Sequence, residues 1–337
     1  MTESMENLRQ CSSGGGTGLY RNVEGDFPVS ALRGMDAKNI AMATGAGNEK
    51  QHSELIVLGK NVQSLQSESR EEELFEELRI VNWDAVLISE TWREKSNERW
   101  TTGDGHMFCG AGGKKGGKGV GIILHRRWTK GVTAFHAINE RLCAIDVNIF
   151  DRRIRFIAVY MPHGGCDDEE VEGTYSLLTQ LTAQGARENR LCITVGDWNA
   201  VVGSRNSGED EQIIGTFGVG TRNERGDWLV NWATAHRFCI ANTLSRKQFE
   251  EQWTYQKGGV RRQLDYCLVP LAAAQWIVDA AASDDIRVGV DHRTVKAYFR
   301  LEVNKNTGST RTKKQKSMRA WKQRTRKNIG AIWIRIC

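Results

Sequence analysis

The sequence predicts an α/β protein in which β-sheets pack face to face with a few helices outside them. Three observations lead there. Between 54 and 301, short apolar runs alternate with polar turns. Only three stretches in that region carry helical spacing, and strands outnumber them in mixed order. The chain of 337 residues is 26% charged and 39% hydrophobic, a balance that suits a folded soluble protein rather than a disordered one.

The elements follow in chain order. ELIVLGKNV (54–62) reads as a strand, and REEELFEELRI (70–80) places Leu74, Phe75 and Leu78 on one helical face. WDAVLISET (83–91) is an apolar strand ending in an acid; GVGIILH (119–125), ERLCAIDVNI (140–149) and RRIRFIAVYMP (152–162) are strands, the last closed by its proline. DEEVEGTYSLLTQLTAQGAR (168–187) reads as a helix with acids leading and arginine trailing, as the helix dipole favours. RLCITVGDWNAVVG (190–203) is a buried strand running into a polar turn, and DWLVNWATAHRF (227–238) is helical. WTYQ (253–256), RQLDYCLVP (262–270) and HRTVKAYFRL (292–301) complete the strands.

Three regions emerge. Residues 1–53, rich in Gly, Ser, Asn and Ala, read as a disordered leader, 54–301 as the folded domain, and 302–337 as a basic, disordered tail. The net charge of +6 is uneven: from Glu302 onward there are eleven Lys/Arg and one acid, a net of +10, whereas the first 301 residues carry 36 basic and 40 acidic side chains, a net of −4. The high isoelectric point therefore belongs to the tail, where TRTKKQKSMRAWKQRTRKN (310–328) suits a nuclear address or a nucleic-acid-binding arm. No apolar run reaches the ~18–20 residues of a membrane helix, and the N-terminus has no signal-peptide core. The eight cysteines form no Cys-x-x-Cys pair and read as free thiols of a reducing, intracellular compartment, neither a disulfide frame nor a zinc site.

Polar groups stand where apolar strands end: Asn61 after LIVLGK, Glu90 after AVLIS, Asp197 and Asn199 after CITVG, and Asp291-His292 after IRVGV. Any one of them suits a plain turn. Four such ends in one chain point instead to a cluster at one sheet edge, where repelling carboxylates need a cation; oxygen ligands without sulfur suit Mg²⁺ or Mn²⁺. The Gly-x-x-x-x-Gly-Lys match at 112–118 lacks the following Ser/Thr and leads into a strand, so it reads as a flexible hairpin whose Lys114, Lys115 and Lys118 suit phosphate contacts.

With these residues in place, the chain resembles the endonuclease/exonuclease/phosphatase superfamily, in particular the branch of LINE-type retrotransposon endonuclease domains and craniofacial-development-protein-2-like proteins. The resemblance covers roughly 55–301. It rests on KNVQSL (60–65), SETW (89–92), GVGIIL (119–124), VYMP (159–162), GDWNA (196–200), G-x-x-NERG (220–226), WTY (253–255), QLDY (263–266) and DHR (291–293). It implies a DNase I-like four-layer α-β-β-α sandwich of two mixed sheets flanked by helices, and Mg²⁺-dependent hydrolysis of phosphodiesters. It further implies a monomer acting on double-stranded DNA in the nucleus, leaving a 3′-hydroxyl, with retrotransposon origin. The resemblance assigns Glu90 as principal metal ligand, with Asn61 and Asp291 near the metal. Asp197 would activate water, Asn199 and Tyr160 would hold the phosphate, and His292, oriented by Asp265, would stabilise charge on phosphorus. The same resemblance places Asn223 and Thr254 at the DNA; Arg261, read from the residues alone, suits either a phosphate contact or plain solvation. Two positions depart from the pattern: Gln63 stands where many members carry an acid, and Val290 where a serine usually precedes Asp-His. These departures leave a second reading, a nucleic-acid-binding descendant with impaired catalysis. A third keeps the fold but takes another phosphoester, of a lipid, an inositol phosphate or a poly(A) tail.

Overall fold

The computed structural model describes residues 51–113 and 117–303. The folded region opens with β1 (Gln51–Asn61), α1 (Glu68–Arg79), β2 (Ala85–Ser89), β3 (Glu98–Thr101), β4 (Met107–Ala111) and β5 (Val120–Leu124). It continues with β6 (Val132–Asn139), β7 (Leu142–Ile149), β8 (Arg152–Tyr160), α2 (Asp168–Arg187), β9 (Leu191–Asp197) and α3 (Glu224–His236). The last strands are β10 (Phe238–Ile240), the hairpin β11 (Tyr255–Lys257) and β12 (Val260–Arg262), then β13 (Asp265–Pro270), β14 (Ile277–Ser283) and β15 (Thr294–Val303).

Two mixed sheets result, a seven-stranded one ordered β14-β15-β1-β2-β5-β4-β3 and a six-stranded one ordered β10-β13-β9-β8-β7-β6. Their facing sides bury one continuous apolar layer, with Leu55, Val57, Leu87 and Ile122 from the first sheet and Ile145, Phe156, Ile193 and Val195 from the second. The outer face of the first sheet is covered by α1 through Leu74 and Leu78, packed with Leu58, Val86 and Ile123. Each such leucine stabilises the layer by about 1.5–3 kcal/mol. On the second sheet α2 and α3 bring Tyr175, Leu178, Leu229 and Trp232 down on Ile157, Val159 and Leu268. The layering is α-β-β-α.

The register positions the site. β1 and β2 run parallel with Asn61 opposite Ser89, so both end at the same edge. β8 and β9 are also parallel, with Tyr160 opposite Asp197, and β13 starts there with Asp265 opposite Asp197. Beneath this edge the sheets approach so closely at Gly59 that a Cβ would lie 2.3 Å from Val195 Cγ1. Only glycine fits that approach.

Several elements depart from the sequence reading. β1 begins at Gln51 and β15 runs to Val303, because residues 51–53 pair with 301–303. α3 starts at Glu224 rather than 227, because the Asn223 side chain caps it by accepting from the Gly226 amide. The expected 262–270 strand divides into β12 and β13, and β11–β12 close through Gly258 and Gly259, both at positive φ. Strands β3, β4, β6, β10 and β14 carry no clear period: β6 is half-exposed along most of its length, and β14 (IVDAAAS) is rich in alanine, a weak strand former. Six cysteines among the described residues are free thiols, five of them buried. No helix among those residues is long and apolar enough to cross a membrane.

Candidate active site

The ends of β1, β2, β8 and β9 and the start of β13 meet at one end of the sandwich, joined there by Asp291 and His292; IRVGV (286–290), expected as a strand, is instead irregular backbone leading into β15. Asn61 is central. Its Nδ2 lies 2.7 Å from Glu90 Oε1, 3.1 Å from Asp197 Oδ2 and 3.5 Å from His292 Nε2. Its Oδ1 accepts from the Gln63 amide at 3.2 Å, which fixes the orientation of the carboxamide. His292 is buried, and its Nδ1 lies 2.9 Å from Asp265 Oδ2. A carboxylate can only accept here, so Nδ1 carries a proton and Nε2 faces Asp197, 3.8 Å away.

Local backbone geometry aims these groups. Glu90 and Asn199 both adopt left-handed φ, +54° and +48°, just beyond the ends of β2 and β9. Such conformations are uncommon away from glycine and turn the chain sharply at a strand end. The Asn199 amide donates to Asp197 Oδ1 at 2.9 Å, and one N–H of its side chain donates to the Met161 carbonyl at 2.8 Å, leaving the other for a ligand.

The electrostatics follow from burial and crowding. Asp197 is pushed up from the ordinary carboxylate range, first by burial and then by the charge of Asp265. Burial works against the His292 imidazolium, but Asp265 and Asp197 outweigh it and raise the ring to about 9. Tyr160 is held protonated by burial and by the charges of Glu90 and Asp197, so its hydroxyl remains a donor. Lys60 is fully buried; burial lowers its ammonium to about 8 against the opposing pull of Asp265.

Asp197, Asp265 and His292 each place one ligand atom within 4.8 Å of the others. All three are buried, and the proton on Nδ1 is directed at Asp265. Asp291 Oδ1 is buried without a hydrogen-bond partner, and Glu90 offers a second carboxylate at the Asn61 carboxamide, oxygen donors whose chemistry fits Mg²⁺ or Mn²⁺.

The expected nucleic-acid contacts divide. Arg261 is exposed, lies over Trp253 at 4.6 Å and pairs with Glu250 at 2.6 Å, while Arg293 covers the same ring at 4.5 Å and pairs with Asp284 at 2.7 Å. The hairpin that carries Arg261 is joined to the site: Tyr255 bridges His292, their rings 4.9 Å apart, and the Gln256 amide donates to the Asp291 carbonyl. Thr254 is fully buried, and its hydroxyl accepts from the Leu264 and Asp265 amides, so it fixes Asp265 instead of facing a ligand. The Asn223 carboxamide oxygen is taken by the Gly226 and Val201 amides, a capping role. Lys118 pairs with Glu170 at 2.9 Å and Glu140 at 3.6 Å, so its charge is drawn to acids of its own chain. Lys114 and Lys115 lie outside the described residues.

Sequence reasoning missed Lys60, whose signal is a lone charge inside an apolar strand. It also missed Arg141, buried and stacked over the Tyr160 ring at 5.2 Å, and Tyr255, which the W-T-Y motif contains.

A two-sheet sandwich with carboxylates, amides and a carboxylate-bound histidine at one end defines a protein of the DNase I-like class. The chain belongs to the Endonuclease/Exonuclease/phosphatase family, whose pattern it matches over residues 57–284. Craniofacial development protein 2 of Bos taurus is 29% identical over 239 residues, 68% of this chain and 38% of that protein, and the Tragulus javanicus protein is equally similar over 39% of its length. The chain thus spans under two-fifths of these relatives. Among solved structures, the 3′-5′ exonuclease NExo from Neisseria meningitidis superposes with a TM-score of 0.55 at 17% identity, covering 73% of this chain and 99% of that one. The endonuclease domain of TRAS1, a telomere-specific non-LTR retrotransposon, gives 0.51 at 15% identity over 74% and 99%. These likenesses show the fold.

Proposed function

We propose that this protein is a divalent-metal-dependent phosphodiesterase that nicks double-stranded DNA, of retrotransposon endonuclease type and acting as a monomer in the nucleus. The observation that carries the reading is the cluster in which Asn61 donates to Glu90 and Asp197, Asp197 faces His292 at 3.8 Å, and His292 is hydrogen-bonded to Asp265. Hydrolysis of a phosphodiester builds negative charge on the non-bridging oxygens and the leaving alkoxide. Asp197 takes the proton that the attacking water loses. His292, charged and oriented by Asp265, donates to a non-bridging oxygen, and the Tyr160 hydroxyl and the remaining Asn199 N–H do the same. Glu90 and Asp291, with Asn61 beside them, would hold Mg²⁺ or Mn²⁺, which supplies Lewis-acid neutralisation of that charge. The bond from phosphorus to the 3′ oxygen breaks, and that oxygen takes a proton from solvent water and is released as a 3′-hydroxyl.

The choice of DNA draws on the hairpin joined to His292, whose exposed Arg261 is paired with Glu250 and would exchange that surface carboxylate for a backbone phosphate. It also draws on the solved relatives, one of which is described as bound to product DNA hairpin. The test is plasmid nicking by the full chain with Mg²⁺, with Mn²⁺ and with EDTA, beside inositol-phosphate, phospholipid and poly(A) substrates. Metal-dependent nicking supports the reading. Turnover confined to another phosphoester, or DNA binding without turnover, overturns it.

A further inference from the structure

The segment Ile286–His292 delivers Asp291 and His292, yet it runs as irregular backbone between β14 and β15. Its end is held by backbone pairing, the Gln256 amide donating to the Asp291 carbonyl, and the rest of its shape comes from side chains. Three from the β1–α1 region supply it. Glu77 of α1 accepts from the Arg287 and Val288 amides at 2.8 and 3.1 Å. Lys60 of β1 donates to the carbonyls of Gly289, at 3.2 Å, and His292. Gln63 Oε1 accepts from the Val290 amide at 3.1 Å. Because an N–H faces it, the oxygen of that carboxamide is the atom that points there.

Gln63 differs from the other two in having a second connection. Its own amide donates to Asn61 Oδ1 at 3.2 Å, so it touches the carboxamide at the centre of the site with its backbone and the His292 segment with its side chain. It does so at φ +47°, an uncommon conformation. The Val290 side chain is 98% exposed and contributes nothing to this anchorage; its backbone does.

We propose that Gln63 is a positioning residue for the reaction: it ties the Asn61 carboxamide to the segment bearing Asp291 and His292, and a backbone clamp at Val290 secures this segment without a side-chain hydroxyl. The proposal rests on the phosphodiesterase reading for its catalytic consequence, but the clamp itself is independent of it. Gln63 is partly exposed and outside the core, so substitution there leaves the layers intact.

The experiment compares the full-length wild type with Gln63→Met, which keeps length and removes the acceptor, and Gln63→Glu, which keeps both. The first readout is hydrogen exchange at the Val290 amide. Loss of one hydrogen bond should speed exchange roughly tenfold in Gln63→Met, with wild-type protection restored in Gln63→Glu. The second is Mg²⁺-dependent nicking, where Gln63→Met should lose roughly tenfold in kcat at unchanged KM and Gln63→Glu should recover it. Unchanged exchange in Gln63→Met overturns the clamp. A changed KM alone, or a loss of kcat that Gln63→Glu does not restore, overturns the positioning role. If the wild type does not nick, the phosphodiesterase reading and the catalytic consequence fall together, and the exchange comparison still decides the clamp.

Discussion

Asp265 and His292 meet across the gap between the two sheets, 2.9 Å apart. Asp265 opens β13 of the six-stranded sheet, and His292 stands two residues before β15 of the seven-stranded one. The reactive geometry therefore depends on how the sheets stack, and any change that shifts one sheet over the other separates the imidazole from its carboxylate.

Glu90→Gln retains the shape of the side chain and removes its charge. The expected outcome is a loss of several orders of magnitude in Mg²⁺-dependent nicking, with near-native folding by circular dichroism. Near-wild-type nicking by this variant rules out Glu90 as the principal metal ligand.

Asp197→Asn and His292→Ala should each lose about 10²–10⁴ in kcat, the scale of acid–base and charge-stabilising groups. Because both serve one transition state, the double variant should lose no more than the sum of the two in free energy. Single-turnover kinetics on a nicked-plasmid assay provides the measurement, and full activity in either single variant removes that residue from the mechanism.

The His106–His125 pair should weaken the fold in acid. His106 and His125 pack on each other and on Trp83. Burial, then proximity to His106, lowers His125 from 6.5 to about 4, and burial with Arg126 lowers His106 as well. With folded values below the unfolded one, the unfolded chain binds more protons as pH falls through 6.5 toward 4. Stability is thus complete above about pH 6.5 and declines below it. Melting temperature should drop between pH 7 and about 4.5, and His125→Phe should flatten that drop. An unaltered slope in the variant assigns the decline to other groups.

Asp146 and Arg155 form a pair buried between β7 and β8, with Nε–Oδ1 at 2.7 Å. Removing the carboxylate leaves the buried guanidinium with the Leu181 carbonyl and the half-exposed Glu188, so Asp146→Ala should cost about 3 kcal/mol in urea unfolding. A loss under about 1 kcal/mol would place the pair in the weak class of surface ion pairs.

Residues 304–337 carry eleven Lys/Arg and no acid. A fragment ending at Val303, the last residue of β15, should bind duplex DNA more weakly and with a shallower salt dependence, because fewer counterions are released. Its nicking rate at saturating DNA should stay within a few-fold of the full chain. Unchanged affinity would credit the grip to the hairpin around Arg261.

What the sequence by itself determined is the set of chemical groups and, for Asn61, Glu90 and Asp197, the strand ends that carry them; the expected strand before His292 is irregular backbone. Asn61, Glu90, Asp197 and His292 each follow an apolar run, and apolar runs with polar ends are local facts that periodicity and turn chemistry disclose. The α/β class was equally legible, because helical and strand spacings are written in adjacent residues. Half-exposed β6 and alanine-rich β14 were not, since their strand conformation comes from ladder partners distant in the chain. Tertiary structure alone decided which polar residues face a ligand and which serve the fold. Thr254, Asn223 and Lys118 look like binding residues in sequence, yet each finds its partners within the chain: the amides of 264 and 265, the start of α3, and Glu170. Gln63 and Val290 look like two unrelated departures from a family pattern and are hydrogen-bonded to one another across 227 positions of sequence. Contacts of that span depend on the three-dimensional register of β1 against the segment before β15, which no local spacing encodes.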